Sequence, residues 1–270
     1  MNSKLFNELK FIVGEKNIIT NPNDLKKFNK DWRGFYNKKS LCVVFPTKTE
    51  ILKQIVCYCF QKDIKIVPQG GNTSLTGASV PTYNNKEIII NFSKMNKILE
   101  IDKSNLTILV EPGLVLDNLK EYLDKENLYF PIDLSSSGSC MIGGNIATNA
   151  GGINALKYGS MKDNVIGLEI VSGDGSIMTS LSKMKKNNTG YDLKSTICNS
   201  EGTLGLISKA LLKVYPKPLD SFTFFAAYKD LKVCIESFKN IRNLFYDKLE
   251  SAELIPNLSF NICLKNNFLK

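Results

Sequence analysis

The chain has 270 residues, of which 43% are hydrophobic and 23% are charged, and its formal net charge is +9. These fractions are typical of a globular protein with room for one large domain or two small ones. Almost all of the positive charge comes from lysines scattered along the chain, because Arg33 and Arg242 are the only arginines. Base reading and bidentate phosphate binding favour arginine, so we expect no nucleic-acid partner.

The numbers of histidines and cysteines limit the possible catalytic chemistry and the cellular compartment. The chain has no histidine, which excludes Ser-His and Cys-His catalysis and a histidyl bond to a cofactor. Its seven cysteines form no C-x-x-C motif, which predicts buried thiols in a reducing compartment rather than disulfides or a metal site. The first residues contain no apolar signal region, and no apolar run is long enough to span a bilayer. We therefore expect a cytoplasmic protein without a transmembrane segment.

The start of the chain predicts a parallel unit of strands and a helix. Apolar residues at helical spacing indicate a helix over 3–13, which Gly14 ends. Buried strands are expected over 41–45 and 64–67, with a helix between them that opens at a capping box over 47–50. Strand, helix and strand joined by short connections imply a right-handed parallel unit.

A glycine-rich loop over 68–79 follows directly, with the sequence P-Q-G-G-N-T-S-L-T-G-A-S. Consecutive backbone amides over 70–74 can form a concave nest for phosphate oxygens, and Thr73 and Ser74 add hydroxyl donors. The loop has neither the lysine of a P-loop nor the G-x-G-x-x-G spacing. A wide hairpin loop is the alternative, but a position beyond the carboxyl end of a parallel strand favours a ligand.

The remaining elements are mostly strands, and two prolines suggest a boundary. Strands are expected over 87–92, 106–110 and 206–214, a helix over 116–125, a hairpin over 165–171 and 177–179, and a polar loop over 185–192. Pro216 and Pro218 break the pattern and mark the best domain boundary. Beyond them we expect a strand over 222–228 and a helix over 233–245.

The segment over 130–160 is almost uncharged and dense in Gly, Ser and Asn, with neither a helical nor a strand period. Glycine is costly inside regular structure, while the apolar residues of the segment argue against a disordered linker. It predicts an ordered loop whose amides approach a large acceptor-rich ligand such as a flavin or a pyrophosphate. A glycine-rich crossover between strands is the alternative.

Five motifs occur in order: P-Q-G-G-N-T-S-L-T-G, P-I-D-L-S-S-S-G-S-C-M-I-G-G-N-I-A-T-N-A-G-G, Y-G-S-M-K-D-N-V-I-G-L-E-I-V-S-G-D-G, N-N-T-G-Y-D-L-K and S-E-G-T-L-G-L-I-S. Together they resemble the FAD-linked oxidases of the vanillyl-alcohol-oxidase type. The most similar branch is that of the D-2-hydroxy-acid dehydrogenases, with the D-2-hydroxyglutarate and D-lactate dehydrogenases and the glycolate oxidase flavoprotein subunit.

The resemblance implies an α+β fold. A PCMH-type FAD-binding domain of two α/β subdomains, the second with a mixed or antiparallel sheet, would hold FAD between them. An incomplete α+β cap domain would follow. The implied division is an N-terminal helical segment over 1–36, the FAD-binding domain over 37–218 and the cap over 219–270.

The resemblance also implies a set of FAD-binding residues, with the cofactor held non-covalently. Residues 68–75 would hold the pyrophosphate, and bulky side chains at Gly71 or Gly143 would fill space meant for the ligand. The whole implied set is Pro68, Gln69, Gly70, Gly71, Asn72, Thr73, Ser74, Leu75, Gly77, Ala78, Ser79, Pro112, Gly113, Asp133, Gly138, Ser139, Ile142, Gly143, Gly144, Asn145, Asn149, Gly151, Gly152, Gly159, Gly202 and Ile207.

The implied activity is transfer of a hydride from a D-2-hydroxy acid to FAD. Members of this branch are longer, and their substrate-binding, metal-binding and basic residues, a histidine among them, lie in the cap and the C-terminal part. We therefore expect the isolated chain to be inactive, with a second polypeptide as a possible partner. A non-catalytic flavin-binding remnant of a split or decaying gene is the alternative, and a UDP-sugar reductase is disfavoured because its arginine-marked loop is missing.

Overall fold

The computed structural model describes residues 2–184 and 188–266. The first part of the chain forms a four-stranded sheet in the order β1-β2-β4-β3, with helices packed against it. Strand β4 pairs in parallel with both β2 and β3. Its elements are α1 (Asn2–Val13), β1 (Ile18–Ile19), α2 (Pro22–Leu25), β2 (Val43–Val44), α3 (Thr49–Gln61), β3 (Lys65–Gln69) and β4 (Glu87–Asn91).

The core of this first part lies between the sheet and the helices α1 and α3. All five residues of β4 are buried, as a central parallel strand requires. Helix α3 turns Leu52, Ile55 and Cys59 inward, which is the spacing of one helical face. Leu9 of α1 belongs to the same apolar cluster, so the N-terminal helix completes this layer.

The second part of the chain forms a five-stranded antiparallel sheet in the order β5-β6-β10-β8-β9. Helices α4 and α5 cover it, and Phe130 and Ile142 lie fully buried between the layers. Its elements are β5 (Ile98–Asp102), β6 (Thr107–Val110), α4 (Leu116–Lys125), β7 (Leu128–Tyr129), α5 (Ile142–Ala147), α6 (Ala155–Tyr158), β8 (Val165–Val171), β9 (Ile177–Thr179), α7 (Leu193–Ile197), β10 (Leu206–Lys213) and β11 (Tyr215–Pro216).

The last described residues form a segment with two helices, α8 (Leu231–Leu244) and α9 (Asn257–Lys265). Neither helix buries a residue. Residues 222–228, predicted as a strand, have no regular secondary structure. That prediction is wrong because an apolar run forms a strand only where another strand or a core accepts it, and Phe222 and Phe225 are largely exposed.

The half-buried carboxylate of Glu169 links helix α3 to the antiparallel sheet. Glu169 on β8 accepts hydrogen bonds from Thr49 Oγ1 at the start of α3 (2.8 Å) and from Ser208 Oγ on β10 (2.9 Å). Lys209 Nζ lies 3.1 Å from the same Glu169 oxygen. The first helix crossover is thereby fixed to the antiparallel sheet.

The predicted α+β class with two subdomains is confirmed, and the second sheet is antiparallel. Two local predictions are wrong. Helix α3 starts after Lys48, which makes no side-chain cap, so 47–50 is not a capping box; the Thr49 hydroxyl is instead used by Glu169. The segment over 130–160 contains the short helices α5 and α6, because glycines inside α5 leave it no apolar period that sequence alone could reveal.

Residues 185–187 of the predicted polar loop lie outside the described residues, and the division at 36 and 218 remains a prediction. No helix in the described ranges combines the length and the apolarity needed to cross a bilayer.

Candidate functional site

A cavity of about 450 Å³ opens between the two sheets. Three segments form its walls: the loop over 68–79 after β3, the residues of 141–150 around α5, and the turn over 197–207 that leads into β10. Phe92 and Pro112 close one side. The site therefore lies where a parallel strand ends, between two independently built layers, which is a common place for a ligand.

The first wall is held rigidly by amide side chains. Gln69 is buried, and its Nε2 donates to the carbonyls of Phe28 (2.9 Å) and Ser79 (2.8 Å). Asn72 adopts a left-handed conformation, donates to the carbonyl of Lys30, and accepts a hydrogen bond from Ser79 Oγ (2.7 Å). Both ends of the loop are thus fixed by side chains of the loop itself.

The backbone of this wall is left with free donors. Among the described residues, the N–H groups of Gly71, Asn72, Thr73 and Ser74 have no recorded acceptor, and neither does the Thr73 hydroxyl. Consecutive free amide donors can form a nest that binds anionic oxygens, and these four residues line the cavity. This arrangement fits the pyrophosphate of FAD, which the resemblance placed here.

The glycines of the first and second walls are of two kinds. A Cβ on Gly143 would lie 2.6 Å from Pro112 Cβ, and a Cβ on Gly71 would lie 2.0 Å from the carbonyl oxygen of Ser139. These glycines permit close packing of protein against protein, so the expectation that side chains there would fill ligand space is wrong. Gly144 differs, because a Cβ there would meet no atom within 4 Å and Gly144 lines the cavity.

The third wall is a turn with three left-handed residues, Asn199, Glu201 and Gly202. The N–H groups of Asn199 and Glu201 donate to the carbonyls of Ile146 (3.2 Å) and Ala147 (2.9 Å) at the end of α5. A Cβ on Gly202 would lie 2.5 Å from Pro68 Cγ. The turn therefore bridges the second wall and the first.

The lining is nearly uncharged. Among the described residues that line the cavity, Glu201 is the single one with a charged side chain. Phosphates bound here would be held by amides and hydroxyls rather than by lysine or arginine. The lining also contains apolar side chains that suit a flat apolar ring, namely Phe92, Leu134, Met141, Ile197 and Ile207. Such a mixture of apolar walls and few polar groups is typical of cofactor sites.

Fifteen of the residues implied by the resemblance meet at this cavity. They are Pro68, Gln69, Gly70, Gly71, Asn72, Thr73, Ser74, Ala78, Ser79, Pro112, Gly143, Gly144, Asn145, Gly202 and Ile207. Sequence reasoning missed other lining residues, among them Thr76, Phe92, Leu134, Ser136, Met141, Ala147, Thr148, Ala150, Ile197, Ser200, Glu201, Gly205 and Leu206. Most of these lie next to a glycine motif, which was the available signal.

The other implied residues do not line the cavity. Several shape turns instead: a Cβ on Gly77 would meet the Tyr36 ring, one on Gly113 the carbonyl of Phe92, and one on Gly152 the carbonyl of Asp133. Ile142 is buried in the core, and Asp133 forms an ion pair with Lys120 at 2.6 Å. The full set outside the lining is Leu75, Gly77, Gly113, Asp133, Gly138, Ser139, Ile142, Asn149, Gly151, Gly152 and Gly159.

Two ionisable side chains outside the lining, Cys198 and Tyr129, are held in their neutral forms. Burial raises the pKa of the Cys198 thiol, which lies between two lining residues. Burial, with the nearby Glu250, also raises the pKa of Tyr129 to about 12. Tyr129 and Tyr158 pack together with ring centroids 5.8 Å apart. Neither the thiol nor this phenol is therefore a base at neutral pH.

Comparison with known proteins gives one family match. The model of the FAD binding domain family matches residues 40–180. The D-2-hydroxyglutarate dehydrogenase, mitochondrial, of Arabidopsis thaliana is 37% identical over 98% of this chain and 47% of its own length. The putative D-lactate dehydrogenase, mitochondrial, of Schizosaccharomyces pombe is 37% identical over 89% of this chain and 45% of its own length. The chain spans about half the length of the curated relatives it matches.

A solved structure supports the fold alone. p-Cresol methylhydroxylase with substrate bound superposes with a TM-score of 0.74 and 21% identity, covering 90% of this chain and 49% of that one. The relatives' names correct one expectation, since both are mitochondrial proteins and a cytoplasmic location is contradicted. That expectation rested on the missing apolar signal region, a criterion that is blind to amphipathic, basic transit peptides.

Proposed function

The chain belongs to the FAD binding domain family, and from that premise we propose that it forms the flavin-binding half of an enzyme that oxidises a D-2-hydroxy acid. FAD is the cofactor of this domain. The observation that carries the proposal is the set of four consecutive free amides at 71–74, whose residues line a nearly uncharged cavity between the two layers. The named activities of the relatives supply the substrate class.

The described residues bind and orient the cofactor. The amides of 71–74 and the hydroxyls of Thr73 and Ser74 would hold the pyrophosphate oxygens, while Gly144 leaves room for close approach of the ligand. Apolar side chains such as Phe92 and Met141 would exclude water from one side. When bound, FAD supplies the acceptor for the hydride that leaves the substrate carbon.

Two chemical roles are not filled by the cavity. Oxidation of a hydroxy acid requires a base for the hydroxyl proton and a cation for the carboxylate, and a positioned base contributes about 10²–10⁴ in rate. Among the described lining residues, Glu201 is the single ionisable side chain. We propose that both roles belong to additional polypeptide, either a further part of the same protein or a second subunit.

The same observation favours a second candidate, a protein that holds flavin without turnover. An absorbance spectrum tests both. We expect the purified 270-residue chain to carry FAD that is fully released on denaturation, and to keep its flavin band when D-2-hydroxyglutarate, D-lactate or glycolate is added. Flavin retained on the denatured chain would contradict non-covalent binding, and absence of flavin binding would overturn both candidates.

Turnover separates the two candidates. If the enzyme proposal is right, the downstream half of a relative such as the Arabidopsis protein, added as a separate polypeptide, should restore bleaching by the D acid and not by its L enantiomer. Continued absence of bleaching in a complex of the two would favour the flavin-holding protein. Rapid bleaching by the chain alone would show that the catalytic groups lie within it.

A further inference from the structure

An exposed aromatic hairpin lies beside the cofactor loop. Residues 30–37, which we call the aromatic hairpin, form a short antiparallel turn in which Lys30 pairs with Asn37. Asp31 is buried, and its carboxylate accepts hydrogen bonds from the N–H groups of Arg33 (3.2 Å) and Tyr36 (2.7 Å). At the tip, Trp32 is 73% exposed and Phe35 is 76% exposed. A rigid turn therefore holds two large apolar side chains in solvent.

The hairpin is fixed to the first wall of the cavity. Asn72 Nδ2 donates to the carbonyl of Lys30 at 2.8 Å. The Tyr36 ring lies over Gly77, where a Cβ would approach it within 2.4 Å. The turn is thus an attached part of the domain, and its tip keeps a defined position next to the cofactor loop.

The exposed charged residues of the hairpin and of the neighbouring residues 38–39 and 82–86 are all basic. Lys30, Arg33, Lys38 and Lys39 are exposed. The loop that supports Lys39, over 82–86, adds Lys86 and the half-exposed ring of Tyr83. None of these five basic residues takes part in an ion pair within the described ranges, although lysines elsewhere do.

The acidic residues of this region are withdrawn from the surface. Asp31 is 3% exposed, and its carboxylate accepts hydrogen bonds from N–H groups of its own turn. Glu87 is 5% exposed, and its carboxylate accepts hydrogen bonds from the N–H groups of Thr82 (2.7 Å) and Tyr83 (2.8 Å). An incoming anionic surface would meet unpaired cations around an apolar tip and no exposed carboxylate of the hairpin.

We propose that the aromatic hairpin docks the domain peripherally on an anionic lipid bilayer. Trp and other aromatic side chains partition into the interface between headgroups and acyl chains, and lysines and arginines near it are attracted to anionic headgroups. A hairpin with two exposed aromatic side chains, and with exposed basic residues in it and beside it, matches that surface. Single-stranded nucleic acid is the weaker match, because it needs a groove in which successive bases stack on aromatic faces, and the Tyr36 ring is turned onto Gly77.

The chain provides its own reporter for this contact, since Trp32 is its single tryptophan. The experiment adds vesicles of phosphatidylcholine with phosphatidylserine, or of phosphatidylcholine alone, to the full chain and follows tryptophan emission and co-sedimentation. We expect a blue shift and binding with the anionic vesicles at low salt, both reversed at high salt because exposed charges are then screened. Lys38→Gln and Lys39→Gln should each weaken vesicle binding by about fivefold.

The aromatic contribution has a matched control. Phe35→Ala should weaken co-sedimentation by about tenfold while leaving flavin content unchanged. Phe11→Ala and Phe60→Ala remove aromatic rings that are 93% and 66% exposed on α1 and α3, and they should leave vesicle binding unaltered.

Three results would overturn the proposal. An unshifted Trp32 emission with anionic vesicles at low salt would exclude this contact. Equal losses in the Phe35→Ala and Phe11→Ala variants would show that binding is not located at the hairpin. A shift with a single-stranded RNA homopolymer but not with vesicles would assign the hairpin to nucleic acid. Vesicle binding requires no turnover, so each result is independent of whether the flavin can be reduced.

Discussion

Helices α4 and α8 are both amphipathic, but only α4 buries its apolar face. Helix α4 buries Leu116, Leu119 and Leu123 against the antiparallel sheet. Helix α8 is longer and has a good N-cap, since the Asp230 side chain accepts a hydrogen bond from the Val233 N–H, yet it buries no residue. Local sequence is sufficient to form a helix, but only an opposing layer converts its apolar face into stability.

The contrast extends to the whole C-terminal segment over 219–266. Its large apolar side chains, including Phe222, Phe225 and Leu244, are exposed by 86%, 88% and 77%. The part before it has a continuous core in each sheet. The segment therefore contacts the rest of the chain without sharing its core. This difference in burial should appear as a difference in the stability that side chains of the two regions contribute.

The largest expected effect compares two identical substitutions. Leu123→Ala removes a fully buried side chain from α4 and should lower the free energy of unfolding by about 2–5 kcal/mol. Leu244→Ala removes a side chain that is 77% exposed and should change it by less than about 0.5 kcal/mol. Denaturant unfolding of both variants decides the matter. Similar losses in the two would mean that the segment belongs to the cooperative core.

The second comparison separates folding from binding within the cavity wall. Gly71→Ala places a Cβ against the backbone of Ser139 and should cost about 1–3 kcal/mol through overpacking. Gly144→Ala meets no protein atom and improves helix propensity by about 1 kcal/mol, so it should fold normally and bind FAD more weakly. Flavin fluorescence titration and thermal unfolding measure the two effects. Unchanged FAD affinity in Gly144→Ala would place the ligand elsewhere.

A smaller effect concerns the contact between helix α3 and the antiparallel sheet. Burial alone would raise the pKa of Glu169, but hydrogen bonds from Thr49, Ser208 and Lys209 outweigh it and hold the pKa below the usual value of 4.5. A carboxylate with a depressed pKa stabilises the fold above its unfolded pKa, and this stabilisation is lost as the pH falls through the folded pKa. Unfolding of the native chain should therefore become easier below about pH 4.5.

The matched variant is Glu169→Gln, which cannot ionise. Its stability should be lower than that of the native chain at pH 7 and should change less between pH 6 and pH 3, about where carboxylates protonate. Parallel pH curves for the two proteins would show that Glu169 does not contribute this dependence.

How much of this could be predicted from the sequence depends on the range of the interactions. The helix over 116–125 and the hairpin around Ser172 and Gly175 were predicted correctly, because their signals lie within a few residues. The β5 strand was missed, because its neighbouring residues Leu99 and Glu100 are both exposed and so break the alternation of buried and exposed positions. The strand predicted over 222–228 does not form, because a strand there would depend on a partner distant in sequence.

The candidate site shows the same limit. The glycine motifs located three walls of the cavity, but not which glycines face ligand and which face protein. That distinction depends on contacts such as Gly71 with Ser139, across sixty-odd residues of chain, roughly the range where local signals carry no information. Sequence counting also treated the lysines as scattered, whereas the fold gathers Lys30, Lys39 and Lys86 around one hairpin.

The smallest expected effect tests how loosely the C-terminal segment is attached. Glu250 accepts hydrogen bonds from Lys157 Nζ (3.0 Å) and from the Tyr158 hydroxyl (3.2 Å), both on α6. The Lys157 and Glu250 side chains are 26% and 29% exposed, and ion pairs of this kind contribute up to about 1 kcal/mol. Glu250→Gln keeps an acceptor for Tyr158 and removes the charge, so the global unfolding midpoint should barely move, while limited proteolysis within 219–266 should become faster.

The control is Glu253→Gln, on an exposed residue of the same segment, which should change neither the midpoint nor the proteolysis rate. The effect of Glu250→Gln should also shrink at high salt. A loss of several kcal/mol in Glu250→Gln would instead show that this contact is part of the folded core and that the two regions unfold together.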